Sequence, residues 1–544
     1  MSLSESLNAW LESTQAKLAA EEEPNGQHAP SFIEQPQLIA LLLKQIAAIE
    51  EAALASDQSF YSACLYALDV CVGELKFAHE QGNRQAHKHL DALMAELTHV
   101  IHEGKQSINF WLPLMGVFFD AQIALSDELQ EIYLTLAEEE SDKFQVEGFD
   151  HLQSMRDLIL ELGDVSPFEL TAHFFSQSHA MPAMFYLDLV VDLCQIEEAK
   201  DAAILTLLHP NAEVREVILQ ALDSVMPEIT ISSQSLSRLQ AMEAWSTGHM
   251  KATIKHWVRI QRKKGVLFPT PSPQKVLKLQ GSEVDGGGAE GLFMQLKVDT
   301  KVRLAGLLLK HDLGIKDAWI TPKITKTETK KYYQQVLGDG VTLRTIDMPF
   351  FMCMANHFLA VTLLQGDMPN LHFLELQEVL GVHFLPEKID VRGVMNDLSI
   401  QIQPFTPAVL EKALVQTQNW LDEKPFASSW FMESEALDKL VNRCSHIESG
   451  MKICRFDDAM QLVFSGLLEP MRERWLFHFM WVAMWLRSGA RKHEKTWQSC
   501  FFLAHAIQTG MPLSDIPIMR AICHQSVVNS VETMRDRRTH LSQE

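Results

Sequence analysis

The sequence is poor in the features that announce a catalytic or membrane-spanning protein. Its longest apolar run near the C-terminus, Trp475 to Leu486, is interrupted by His478 and falls far short of the roughly 20 residues that cross a bilayer, so it predicts a buried helix. The eight cysteines include no C-x-x-C pair, which argues against the common zinc and redox frameworks. Scattered in apolar contexts such as Phe351-Met352-Cys353-Met354, they read as small core residues kept reduced, as a cytoplasmic protein would keep them. The first residues, MSLSESLNAWLES, have neither a basic start nor an apolar core and are not expected to act as a signal peptide. No G-x-S-x-G elbow and no G-x-x-x-x-G-K-[ST] loop is present.

The charge is also lopsided. The 544 residues carry 70 acids and 47 bases, a formal net charge of -23, yet the stretch from Lys251 to Lys278 has eight bases and no acid. Residues 1–230 carry 38 acids and 10 bases, whereas residues 231–330 carry 8 acids and 17 bases. Such asymmetry bears on partners rather than on fold.

Apolar residues make up 47% of the chain, enough for full cores, and the length predicts more than one domain. Residues 1–35 read as a short helix followed by a polar arm broken by Pro24, Gly26 and Pro30. Over 36–248 the apolar period is helical, as in Leu38, Leu41, Leu42, Ile46 and Ile49. Ala202 to Met226 carries Leu207-Leu208, then His209-Pro210-Asn211, then a stripe of Val214, Val217, Ile218, Ala221 and Leu222. This unit resembles a single HEAT-type helical repeat. The resemblance implies a stacked helical layer of the kind that binds proteins.

Residues 249–280 read as a basic helix and a Pro-rich linker. Met250, Ile254, Trp257, Val258 and Gln261 share one side of the helical wheel, and Lys251, Lys255, Arg259 and Arg262 share another, with Lys263 and Lys264 following. These six cations are the candidate binding residues; by default such a face is simply solvated, and otherwise it docks on the chain's own acidic N-terminal half or meets nucleic acid or an anionic surface. The stretch from Phe268 to Gly288 is expected to be the internal segment most open to protease.

Residues 281–370 change character. Leu292 to Val298 alternates as a strand should. A helix is expected over Thr300–His311, a strand over Asp317–Thr321, a helix over Thr327–Leu337, a strand over Val341–Ile346 and a helix over Pro349–Leu364. This βαβαβα pattern predicts a small parallel or mixed sheet, with Asp299, Lys323 and Asp347 at strand-to-helix turns along one edge, where α/β sheets bind ligands. The carboxylates can equally serve helix N-termini. Gly286-Gly287-Gly288 precedes a strand instead of following one, and reads as a flexible loop. Residues 371–544 are again helical, with Thr406 as an N-cap and Pro407 in the first turn. Glu96, His99, His102 and Glu103 share metal-ligand chemistry on one helix, but without a second such unit they read as a wet helix face.

The expectation is a mainly α protein: a helical-repeat-like N-terminal region, a small α/β centre and a helical C-terminal region. Its expected role is a non-catalytic, cytoplasmic interaction or assembly component with protein partners, without metal or cofactor. Two alternatives are a nucleic-acid-associated component using the basic segment within a complex, and an enzyme with its site at the strand ends.

Overall fold

The computed structural model describes residues 3–541 apart from 21–23, 25–28, 56–57, 81–82, 122, 147–150, 162–164, 178–182, 326, 330, 333–340, 403–404, 449–450 and 490–494. The protein is mainly α-helical, with a five-stranded sheet and a two-stranded one among the described residues. Among the described residues no helix is long and apolar enough to cross a membrane. Contacts divide the chain into two compact units, 1–232 and 233–544.

The first unit is built from helices α1 (Leu3–Ala19), α2 (Gln37–Ala47), α3 (Ser59–Glu80), α4 (Arg84–Glu103), α5 (Ile108–Asp120), α6 (Asp127–Val146), α7 (His151–Glu161), α8 (Pro167–Gln177), α9 (Phe185–Gln195), α10 (Lys200–Leu205) and α11 (Ala212–Val225). The stripe read from the sequence on α2 is its inward face: Leu38, Leu42 and Ile46 are buried with Trp10, Phe32, Leu68, Trp111 and Phe118. Cys64 and Cys71 are buried in the same core and unpaired, and burial pushes the Cys64 thiol up to about 12. At the resembling unit, Asn211 caps α11 by accepting from the Glu213 amide at 2.8 Å. The first arm of that hairpin is short, the six residues of α10 plus a 3-10 turn over Thr206–Leu208. What the structure describes is a capped helical hairpin packed with α8 and α9.

The second unit opens with α12 (Ser233–Trp245) and α13 (Gly248–Lys263). The first is tied into its core, and the second packs on the first. Arg238 of α12 reaches Glu378 of α15 (Leu371–Leu380) through Nε at 2.7 Å and Nη2 at 3.3 Å. The Trp245 indole donates to the Phe384 carbonyl at 2.9 Å.

The sheet follows, in the order β4-β3-β2-β1-β5: β1 (Lys275–Ser282), β2 (Ala289–Val298), β3 (Lys301–Lys310), β4 (Gly314–Ile320) and β5 (Leu343–Thr345). Every pairing is antiparallel, which corrects the expectation of a parallel or mixed sheet. The cause lies in one element. Residues 301–310, read as a helix, form strand β3. Val298 pairs with Lys301, so Asp299 and Thr300 make a two-residue hairpin turn, and Asp299 supplies the positive φ of 54° that such turns need. Leu307, Leu308 and Leu309 lie in a short apolar run that periodicity alone cannot assign to helix or strand. Strands β1 to β4 follow one another as hairpins, so none of those links requires a crossover helix. The helix expected over Thr327–Leu337 falls largely outside the described residues.

Leu292, Met294 and Leu296 of β2 form a buried face. The helices α14 (Met348–Leu364) and α15 pack on β4, and α21 (Arg472–Arg487) meets β1 and β2. The remaining helices are α16 (Val391–Ser399), α17 (Pro407–Val415), α18 (Trp420–Glu423), α19 (Glu435–Cys444), α20 (Phe456–Val463), α22 (Thr496–Gln508) and α23 (Pro517–Leu541). Thr406 caps α17 as expected, accepting from the Val409 amide at 3.3 Å. A short hairpin, Ser445–Glu448 with Met451–Cys454, interrupts this helical region; its four-residue strands are too short to show a period.

The glycine-rich loop is pinned. A Cβ on Gly286 would lie 2.3 Å from the Ser429 carbonyl oxygen and 2.7 Å from that of Phe431, so only glycine fits there. The Trp430 indole donates to the Val284 carbonyl at 2.9 Å, and Arg474 Nη2 donates to the Gly287 carbonyl at 2.7 Å. Strand β1 begins at Lys275, inside the stretch expected to be linker. The protease-open stretch therefore contracts to the exposed residues around Leu267 to Pro273. Brief chymotrypsin digestion is expected to cut first after Leu267, since Pro269 protects the Phe268 bond. A first cut within 281–288 would contradict the pinned loop.

Candidate interaction surface

Ile254, Trp257 and Gln261 bury one side of α13. The helix is thereby fixed with its opposite side out. Lys251, Lys255, Arg259, Arg262 and Lys263 are all exposed there, and Lys264 is exposed just past the last turn. The structure leaves all six sequence candidates exposed, five of them along α13 and Lys264 just past its end. Among the described residues, Lys251, Lys255, Arg259 and Lys263 make no ion pair. The Arg262 guanidinium lies over the Phe268 ring, 5.2 Å from its centroid. Leu267 is 67% exposed and Phe268 36%, so an apolar patch adjoins the cations.

The helix gives local reason for only some of these charges. Arg262 and Lys263 in the last turn complement the negative end of the helix dipole. Lys251 stands at the end of the first turn, where positive charge opposes the dipole, and Lys255 lies mid-helix, where the dipole neither favours nor opposes it. The first turn has no acid, and Thr247 at the N-cap makes no side-chain capping bond.

The sheet-edge candidates do not form a common site. Lys323 Nζ is 3.8 Å from Asp299 Oδ2, with both side chains exposed, a pair of little energetic weight. Asp347 caps α14, accepting from the Phe350 amide at 2.9 Å, while its own amide donates to Ser488 Oγ at 2.8 Å. On α4, His99 Nε2 is 3.6 Å from Glu103 Oε1 on an exposed face. Among the described residues no group of three side chains is placed to hold a metal ion.

Polar groups that the sequence reading passed over lie inside the second unit. Glu290, 1% exposed, accepts from the Trp481 indole at 2.6 Å, and burial pushes its carboxyl well above the usual carboxylate range. Extending the β2 alternation inward by one pair would have placed Glu290 beside Leu292. His357 and His478 are also buried. Burial, reinforced by the His311 and Lys388 charges, holds His357 down to about 4. Burial, then Arg474 and His311, holds His478 down to about 3. Arg303 Nη2 lies 2.6 Å from Glu375 Oε1, and His372 Nδ1 lies 3.0 Å from Glu375 Oε2. Burial pushes the Glu375 carboxyl up, but His372 and Arg303 outweigh it and keep it below its ordinary range.

Two sequence families match parts of the chain. One, described as the Y4lR second domain, matches residues 182–265, the stretch from just before α9 through α13. The other, described as the Y4lR C-terminal helical domain, matches residues 392–531. The chain is similar to the uncharacterised protein y4lR of Sinorhizobium fredii, with 24% identity over 327 residues, 59% of this chain and 60% of that protein. The match thus spans less than two thirds of the relative's length. No solved structure matches.

Proposed function

We propose that the protein is a non-catalytic interaction or assembly component that docks an acidic partner on the exposed face of α13. The observation that carries the reading is the exposed row of Lys251, Lys255 and Arg259 along α13. Lys251 opposes the dipole near the N-terminal end of its helix, and none of the three makes an ion pair among the described residues. A row of cations that the fold leaves unneutralised is accounted for by an acidic partner. The repeat-like hairpin of the first unit fits the same class of role. The enzyme alternative has less support, because Asp347 serves as a cap and Asp299 as a turn residue.

The test is affinity purification of the tagged protein beside a variant carrying Lys251→Ser, Lys255→Ser, Arg259→Ser and Arg262→Ser. Partners released from the native protein by salt are expected to be missing from the variant. An unchanged partner set would defeat the reading, and recovery of nucleic acid alone would favour the nucleic-acid alternative. A single change separates stability from docking. Lys251→Glu puts an acid near the positive end of α13 and is expected to stabilise the unit by about 0.5 kcal/mol in thermal or urea melts, while weakening partner capture.

A further inference from the structure

We infer that the surface on α13 takes an acidic peptide segment of a protein partner, with an apolar side chain of that segment seated on Leu267 and Phe268. The inference rests on the docking role just proposed and adds the partner's chemistry. Lys251, Lys255 and Arg259 follow one another at intervals of four residues, about 6 Å along the helix axis. Acids four apart on a partner helix repeat at the same interval. Beyond the last turn the surface changes from cationic to apolar at Leu267 and Phe268, both exposed.

This combination fits a peptide better than a nucleic acid. Base stacking uses a free aromatic face, and Arg262 already covers one face of Phe268. Leu267 has no ring to offer. The formal net charge of -23 also opposes a long polyanion more than a short acidic segment. An anionic membrane would draw on the same cations, but a two-residue apolar patch gives little to insert.

The experiment uses the full chain and fluorescence anisotropy with labelled probes. The first probe is a helical peptide with glutamates four apart and a terminal Leu-Phe. The second is identical except for Ser-Ser in place of Leu-Phe. A single-stranded oligonucleotide of matched charge completes the set, and phosphatidylglycerol vesicles are tested by co-sedimentation. The first peptide is expected to bind about tenfold tighter than the second, a difference of about 1.4 kcal/mol. That advantage should vanish in a Leu267→Ser, Phe268→Ser variant, which leaves every cation in place. Equal binding of the two peptides would overturn the inference while leaving the docking role intact. Tighter binding of the oligonucleotide or the vesicles would overturn it in favour of that partner. Undiminished peptide binding by the four-serine variant would overturn the docking role itself.

Discussion

Glu290→Gln is expected to make the protein more stable at pH 8 and to leave its stability unchanged at pH 4. Burial holds Glu290 protonated in the folded state, against a single hydrogen bond from Trp481. In the unfolded chain the same carboxyl ionises above the ordinary carboxylate range. Unfolding therefore releases a proton, and the wild-type protein loses stability as pH rises through that range until the folded value is reached. Glutamine keeps the size and an acceptor for Trp481 without the linkage. The ratio of variant to wild-type folding constants should grow about tenfold per pH unit across that window. Denaturant melts at several pH values, followed by tryptophan emission, read this directly, because Trp430, Trp481 and Trp485 are all fully buried in the second unit. A pH-independent difference would mean that Glu290 is ionised in the fold.

The second large effect has the opposite sign. His357 and His478 are held neutral, at about 4 and about 3, while the unfolded chain protonates both below about 6.5. The unfolded state then binds more protons, so stability falls as pH drops from about 6.5 toward those folded values. By pH 4.5 each histidine should lower the folding constant about a hundredfold. Glu290 offsets part of this in the wild type, so the informative quantity is the difference between wild type and variant. His478→Phe should remove one tenfold-per-pH-unit slope from the acid limb. His357→Gln, which keeps an acceptor for the Ile389 amide, should remove the other down to about pH 4. An acid limb unaltered by either change would show that these imidazoles are protonated in the folded protein.

The parts of the fold that the sequence made legible are those governed by local rules. The α2 stripe, the Asn211 and Thr406 caps and the β2 alternation each depend on residues within a few positions, and each is found in the structure. The helical face of α13 was legible for the same reason, as was its exposed row of cations. What escaped was set by distant partners. The hairpin at Asp299-Thr300 lacks the glycine that usually signals such a turn, so β3 was read as a helix. The proline-rich approach to β1 hid a strand whose pairing depends on β2 and β5. The Arg303–Glu375 contact joins residues 72 apart, and the Glu290–Trp481 bond joins residues 191 apart. No spacing rule reaches so far. The glycine loop illustrates the point most sharply: its composition suggests freedom, and the backbone of Ser429 and Phe431 removes it.

The docking role of α13 is tested most directly by lysine footprinting. The tagged protein is acetylated briefly in a low-salt lysate of its source cells and again after purification in high salt, and the extent of modification is read for each lysine by mass spectrometry. Lys251, Lys255 and Lys263 are predicted to be protected in the lysate and to become reactive after the salt wash, while exposed Lys412 and Lys439 on other helices react equally in both. Equal reactivity of the α13 lysines in the two samples would contradict the account.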